Sequence, residues 1–162
     1  MIAYPIGDSG QTLVFTDTVL EHFRAYLQRK LWNREAGGQL FARIFGDQFV
    51  IEDVTGPRKT DQRKRSSYYP DTAAEQREID ERFPKGLHFV GDWHTHPEAV
   101  PKPSKWDLDA ISKSFRQSHH VLQAFVLVIV GTADQPDGLF VSLHDGVDIH
   151  QLKPFGREVP EL

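Results

Sequence analysis

Residues 121–130 constrain the fold of this chain more than any other segment. Their sequence, VLQAFVLVIV, is apolar at almost every position, with Gln123 as the polar exception. A short run of this kind is typical of a central strand that is buried on both faces. We therefore expect a sheet that is flanked by helices, with this strand near its middle.

Three other segments are predicted to form helices. The first follows Thr16 and Thr18, which are both candidate N-caps, and Thr18 with Glu21 fits a capping box. We expect the apolar stripe of this helix to be part of the core: Val19, Leu20, Phe23, Tyr26, Leu27 and Leu31. Two more helices are predicted at residues 71–83 and 105–118.

Alternating or apolar runs predict the remaining strands. They lie at residues 12–15, 39–45, 48–54, 87–96, 139–143 and 147–152. Gly46-Asp47 and Asp145-Gly146 would each turn a strand back into a hairpin. The sum is an α/β (or α+β) fold with a central mixed β-sheet flanked by helices. We expect a single domain over residues 1–162.

The composition excludes several classes of function. Because the chain has no cysteine, disulfides, thiolate catalysis and Cys-ligated zinc are all excluded. The formal net charge of -4 gives no general case for a nucleic-acid partner. No apolar run approaches the ~20 residues of a membrane span, and the N-terminus has no secretory signal. We therefore expect no membrane partner and a cytoplasmic location.

His94 and His96 are the strongest candidates for a metal site. Side chains two positions apart on a strand share one face, so both imidazoles can reach one ion if residues 87–96 form a strand. Pro97 has no backbone donor and would end that strand.

A carboxylate follows at the start of the third predicted helix. Ser104 is a suitable N-cap, which places Asp107 in the first turn. Two imidazoles and one carboxylate leave the fourth position of a zinc ion open, as in catalytic rather than structural sites. A capping role alone would also explain Ser104. Asp107 could instead complete a capping box, but the paired histidines would then have no third ligand.

Other polar and aromatic residues have simpler interpretations. We expect Trp93 and Trp106 to pack around the site, and Glu98 to be solvated. The basic stretch at residues 56–70 is interpreted as a solvated loop, with a surface for an acidic partner as the alternative. None of the remaining histidines has an acidic companion that would indicate a second metal site: His22, His88, His119, His120, His144 and His150.

His94-Thr95-His96, followed by Ser104 and Asp107, resembles the signature of the JAMM metallopeptidases, the catalytically competent MPN domains. That signature also includes a glutamate well upstream, just before a glycine-containing strand. Glu35, which precedes the sequence AGGQL, is in that place. All five signature residues are therefore present.

The resemblance implies a cytidine-deaminase-like MPN/JAB fold with one zinc ion (Zn2+) per chain, held by His94, His96 and Asp107. Glu35 would act as the general acid and base, and Ser104 would help to stabilise the tetrahedral intermediate. Members of the family hydrolyse isopeptide or peptide bonds after the C-terminus of ubiquitin or a ubiquitin-like protein. The implied partner is therefore a ubiquitin-like or other conjugated protein substrate.

The compact chain is similar to the stand-alone bacterial members of this family. Some of these are encoded in anti-phage operons beside ubiquitin-activating-like and conjugating-like enzymes, and they remove a conjugated protein from its target. The resemblance thus implies an antiviral role with these enzymes as partners. Two alternatives stay open: a non-catalytic MPN scaffold, although scaffolds usually lack a motif residue, and a zinc peptidase acting on small peptides or sulfur-carrier precursors.

Overall fold

The structure, a computed structural model, describes residues 1–156, and the predicted domain of 1–162 therefore extends beyond the described residues. The strands are β1 (Ile2–Pro5), β2 (Thr12–Phe15), β3 (Gly37–Phe45), β4 (Gln48–Val54), β5 (Gln62–Lys64), β6 (Ser67–Tyr69), β7 (His88–Thr95), β8 (Phe125–Val130), β9 (Leu139–His144) and β10 (Ile149–Leu152). The helices are α1 (Asp17–Ala25), α2 (Thr72–Arg82) and α3 (Lys105–Gln117), and a 3-10 turn (Phe83–Lys85) follows α2.

Eight of these strands form one mixed sheet in the order β1-β2-β4-β3-β7-β8-β9-β10, and β5 and β6 form a separate hairpin. β2 runs parallel to β4 and β7 runs parallel to β8, whereas the other neighbours are antiparallel. The predicted mixed sheet flanked by helices is therefore confirmed. Among the residues described, no helix has the length and apolar character needed to cross a membrane.

β8 has the central, doubly covered position that its composition predicts. All of its residues are buried, and they alternate between two apolar clusters. One cluster joins three of them to α1: Val126, Val128 and Val130 with Val19, Leu20 and Phe23. The other joins the alternate three to α3: Phe125, Leu127 and Ile129 with Ile111. The sheet is therefore covered by α1 on one face of β8 and by α3 on the other.

The first helix is shorter than its apolar stripe predicts. α1 ends at Ala25, yet Tyr26 and Leu27 still pack against the core. The prediction that Leu31 belongs to the core is wrong, because its side chain is 80% exposed. Leu31 lies beyond the helix, in a turn where the Asn33 side-chain oxygen accepts the Lys30 N–H at 2.8 Å.

Two further boundaries differ from prediction. α1 begins directly after Thr16, so the capping box of Thr18 and Glu21 is not formed, and Thr16 makes no side-chain capping bond. β8 begins at Phe125 rather than at residue 121, and Val121 is 99% exposed. β1 was not predicted; it is a short edge strand that pairs with β2. Such ends depend on pairing with distant strands, which local composition does not report.

The basic stretch at residues 56–70 is not the solvated loop that its charge predicts. It contains the β5–β6 hairpin, and the side chain of Arg58 is only 11% exposed. The Arg58 guanidinium contacts Glu78 of α2 at 2.5 Å and Asp61 at 3.4 Å, and the Asp61 side chain is fully buried. The Tyr68 hydroxyl also donates to Asp61 at 2.6 Å. This buried ionic network joins the hairpin to α2.

Gly91 marks a close approach between β7 and β8, and substituting it tests the register that aligns the site. Its φ is +154°, and a Cβ would lie 1.9 Å from the Val126 carbonyl oxygen. Gly91→Ala is therefore expected to lower the free energy of unfolding by about 3 kcal/mol or more, measured by urea denaturation. Gly156→Ala, where a Cβ meets nothing within 4 Å, is the matched control. Equal unfolding midpoints for the two variants would contradict this account.

Candidate metal centre

The C-terminal end of β7 carries both histidines of the motif. His94 pairs with Gly37 of β3 on one side and with Ile129 of β8 on the other. His96 follows β7, and its N–H donates to the Val130 carbonyl at 3.0 Å, so the strand geometry continues through it. The two imidazoles therefore lie on one face, with their Nε2 atoms 3.2 Å apart.

The first turn of α3 brings a carboxylate to the same point. Ser104 Oγ accepts the Asp107 N–H at 3.1 Å, and Asp107 Oδ2 accepts the Ser104 N–H at 2.8 Å, which completes a capping box. The same carboxylate places Oδ1 3.2 Å from His94 Nε2 and Oδ2 3.2 Å from His96 Nε2. The capping box and the contact with the histidines thus coexist and are not alternatives.

The three side chains have the spacing of ligands around a small metal ion. Bonds of about 2.0–2.1 Å to a tetrahedral zinc ion separate neighbouring ligand atoms by about 3.3 Å. The two Nε2 atoms are 3.2 Å apart, and each lies 3.2 Å from a different oxygen of the Asp107 carboxylate. The side chains of His94, His96 and Asp107 are 11%, 12% and 9% exposed, so they converge in a protected place. The donor set and its spacing are therefore compatible with zinc and leave one coordination position for a non-protein ligand.

Glu35 lies beside the two histidines although it is distant in sequence. Its carboxylate and the ring nitrogens of His94 and His96 lie within 4.8 Å of one another, so Glu35 is also within reach of an ion held by the two imidazoles. Glu35 is only 6% exposed. The structure thus brings together all of the signature residues, with Ser104 attached through the capping box.

A buried polar network holds the chain next to Glu35 against β7. The Thr95 hydroxyl accepts the Ala36 N–H at 2.9 Å and donates to the Gln28 side-chain oxygen at 2.8 Å. The Thr95 N–H donates to the Ala36 carbonyl at 2.8 Å. Sequence reasoning missed Gln28 and Thr95 as supports of the site, since nothing local indicates that they meet.

Burial and charge act in opposite directions on the acids of the site. Burial would raise the pKa of Asp107, but hydrogen bonds from His94 and His96 outweigh it and hold that pKa well below its usual range. Burial raises the pKa of Glu35, and the nearby histidines offset only part of the increase. Asp107 is therefore a permanent carboxylate, while Glu35 exchanges a proton at a higher pH than an exposed glutamate does.

Glu98 has a contact that the sequence did not indicate. Its side chain is 52% exposed, in agreement with the predicted solvation, yet Oε1 lies 3.3 Å from His96 Nδ1. His96 Nδ1 makes no hydrogen bond at this distance, so Glu98 contributes a nearby negative charge rather than a bonded acceptor. The signal available in the sequence was a carboxylate two residues after the second histidine.

A groove of about 980 Å³ leads to the candidate metal centre. The β6 side of the hairpin forms one wall and α3 forms the other. Tyr69 and Trp106 meet across it, with their ring centroids 6.1 Å apart. Trp106 is 65% exposed, so the prediction that it packs around the site is wrong, whereas Trp93 is buried as predicted. Exposed aromatic rings on a groove are typical of a surface that contacts another molecule.

Comparison with known proteins places the chain in a family. Residues 16–144 match the family described as prokaryotic homologs of the JAB domain. Because this match covers most of the sequence, the chain belongs to that family.

Curated relatives give a more specific likeness. The chain is 28% identical over 132 residues to a protein of Escherichia coli named CD-NTase/cGAS isopeptidase, covering 80% of this chain and 82% of that protein. A Pseudomonas aeruginosa protein of the same name is 31% identical over 122 residues, covering 66% of this chain and 70% of the relative. A Vibrio cholerae protein of that name is 29% identical over 130 residues, covering 78% and 81%.

Solved structures support the fold alone. A solution structure of a Desulfitobacterium hafniense protein aligns with a TM-score of 0.62 at 20% identity, covering 86% of this chain and 88% of that one. A solution structure of a Salinibacter ruber protein aligns with a TM-score of 0.54 at 20% identity, covering 91% and 93%.

Proposed function

We propose that this protein is a zinc-dependent isopeptidase of the JAMM type that hydrolyses the bond after the C-terminus of a conjugated protein. The observation that carries the proposal is the triangle of His94, His96 and Asp107, with 3.2 Å between facing ligand atoms and the buried Glu35 carboxylate beside it. A non-catalytic scaffold does not require these four side chains to lie close together.

The names of the relatives support a protein conjugate as the substrate. Three bacterial relatives are named as isopeptidases of CD-NTase/cGAS. We propose a nucleotidyltransferase of that kind, or a ubiquitin-like protein, as the conjugated partner. The antiviral role, the activating and conjugating enzymes as partners and the cytoplasmic location stay predictions.

The residues of the site have separate tasks in this reaction. The chemistry that zinc supplies when bound is Lewis acidity, which lowers the pKa of water toward ~7 and polarises the scissile carbonyl. Glu35 accepts the proton of the attacking water and gives it to the departing lysine amine, and the raised pKa of its carboxyl suits both transfers. Ser104 Oγ accepts the Asp107 N–H, so its own hydrogen is free to donate to the developing oxyanion.

The groove fits an extended substrate tail. Its α3 wall runs from Trp106 to Gln117, about 16 Å along a helix, which matches about five residues of extended chain. In the described part of the chain, β6 pairs with β5 alone, so its other edge offers main-chain groups to an added strand. Binding of this kind takes its affinity from main-chain hydrogen bonds and its selectivity from side-chain pockets.

Ser104→Ala separates the two roles of this serine. If the hydroxyl donates to the oxyanion, kcat is expected to fall about 10²–10³-fold. Loss of the N-cap is expected to cost about 1 kcal/mol of stability in the same variant, measured by urea denaturation. Ser104→Thr keeps a hydroxyl and a cap, so it should retain most of both quantities. A lower stability with unchanged kcat would leave Ser104 as a cap only.

Zinc content and a substrate panel test the proposed function. After reconstitution and desalting, we expect about one zinc ion per chain by emission spectrometry. The protein should then cleave a lysine-linked conjugate whose modifier has an extended C-terminal tail. If the protein cleaves only short peptides, the small-peptide or sulfur-carrier alternative is favoured. If it retains no zinc, the scaffold alternative is favoured.

A further inference from the structure

The β5–β6 hairpin lines the groove and also contacts the chain that carries Glu35. We call residues 30–37 the Glu35 segment. Apart from Gly37, which begins β3, this segment belongs to no helix or strand. Its position therefore depends on hydrogen bonds from other parts of the molecule rather than on a regular ladder.

β5 holds both main-chain polar groups of Glu35. The Glu35 N–H donates to the Lys64 carbonyl at 2.7 Å. Arg63 Nε donates to the Glu35 carbonyl at 2.8 Å, and Arg63 Nη2 lies 3.4 Å from the Arg34 carbonyl. A single guanidinium thus spans two successive carbonyls, which its planar fork of donors favours.

Neighbouring residues of the hairpin fasten the two ends of the Glu35 segment. Arg65 donates to the Lys30 and Leu31 carbonyls at 3.1 and 2.9 Å. The Tyr68 hydroxyl has one hydrogen, which it shares between Asp61 and the Gly37 carbonyl oxygen 2.8 Å away. Two arginines of the basic stretch are therefore used on carbonyl oxygens of this chain, which accounts for charge that the sequence assigned to solvent or to an acidic partner.

The same hairpin forms a wall of the groove. Arg63 and Tyr68 are cross-strand partners, and Tyr68 and Tyr69 line the groove together with Ser66 and Ser67. The surface that would contact a substrate tail and the bonds that hold Glu35 thus belong to one small unit.

We propose that Arg63 is a positioning residue for Glu35. Its guanidinium holds the Glu35 main chain, so that the carboxylate stays beside the two histidine ligands when the groove wall is loaded by a substrate. The inference rests on the proposed function, since it assigns Arg63 a part in the same reaction. Arg63 itself touches neither the scissile bond nor the metal ligands; it acts through Glu35.

Kinetics of two variants at this position test the assignment. A misplacement of about 1 Å costs up to about 10²-fold in rate, so Arg63→Gln is expected to lower kcat about 10–100-fold with KM and zinc content unchanged. Arg63→Lys should recover part of kcat through a single contact. Lys64→Gln is the matched control: it removes the same charge from the next residue, whose exposed side chain makes no hydrogen bond or ion pair within residues 1–156, and leaves the Lys64 carbonyl in place. An equal loss in Lys64→Gln, or a higher KM with unchanged kcat, would overturn the proposal.

A double variant distinguishes action through Glu35 from an independent effect. In the Glu35→Gln background, Arg63→Gln is expected to cause no further loss of rate, because the group that it positions is already gone. Independent, multiplicative losses would contradict a positioning role.

Amide hydrogen exchange gives a readout that needs no activity. In the folded, metal-free protein, the Glu35 amide should lose protection in Arg63→Gln and keep it in Lys64→Gln, since the bond to the Lys64 carbonyl depends on the fixed position of the segment. Unchanged protection in Arg63→Gln would overturn the inference. If the wild-type protein cleaves no conjugate, the proposed function fails, while the exchange result still decides whether Arg63 holds the Glu35 segment.

Discussion

Glu35→Gln is expected to lower kcat for conjugate cleavage by about 10²–10⁴-fold, the range that a general acid or base contributes. The substitution keeps the volume of a side chain that is 6% exposed, so the packing around it is preserved. It removes the carboxylate that we propose takes a proton from the attacking water and returns it to the leaving amine. The rate should be measured under single-turnover conditions, which separate chemistry from substrate binding.

Zinc content decides whether Glu35 acts as a base or as a ligand. Because the triangle of His94, His96 and Asp107 is complete without it, Glu35→Gln should retain about one zinc ion per chain. Loss of zinc in this variant would contradict the assignment. Glu81→Gln, on the exposed side of α2, is the matched control for the loss of one carboxylate and should have wild-type kcat.

Asp107→Asn is expected to have the second largest effect, through loss of the metal. Removing an outer partner of a zinc ligand typically costs about 10–100-fold in affinity, and removing the charge of a ligand itself should cost more. The neutral amide also ends the strong attraction between the carboxylate and the two imidazoles, which holds the pKa of Asp107 low. The variant should contain far less than one zinc ion per chain after desalting.

Asp109→Asn is a suitable control for the metal measurement. Asp109 lies on the same helix and lines the groove, but it has no contact with the histidines in the structure. Its zinc content should equal that of the wild type. If Asp107→Asn also retained zinc, Asp107 would be a capping residue only, and Glu35 would become the third ligand of the group with His94 and His96.

The predictions that the structure confirms rest on local chemistry. The apolar run that contains β8 was sufficient to predict a buried central strand, because side chains on both faces had to be apolar. The two-residue spacing of His94 and His96 and the cap at Ser104 likewise predicted which way these side chains point. The ends of elements were less well predicted, as Leu31 and Val121 show, since both apolar residues are exposed where the chain leaves its element.

The position of Glu35 beside the histidines could not be predicted from local sequence patterns. Periodicity and composition do not distinguish it from other glutamates, and only the family resemblance singled it out. The hydrogen bond that brings its neighbour Ala36 to Thr95 spans 59 positions of sequence. A contact at that separation forms only once β3 and β7 have paired, so no local pattern encodes it.

The sequence alone determined the kinds of elements and the chemistry of the candidate metal ligands, because strand period, helix cap and side-chain type are local properties. Only the tertiary structure decided which surroundings these residues have. Arg63 and Arg65 were expected to be solvated charges, and the structure shows that both donate to carbonyl oxygens of the Glu35 segment. The physical reason is that a carbonyl oxygen outside regular secondary structure bonds to whichever donor the fold places beside it, and that donor is set by proximity in space rather than along the chain.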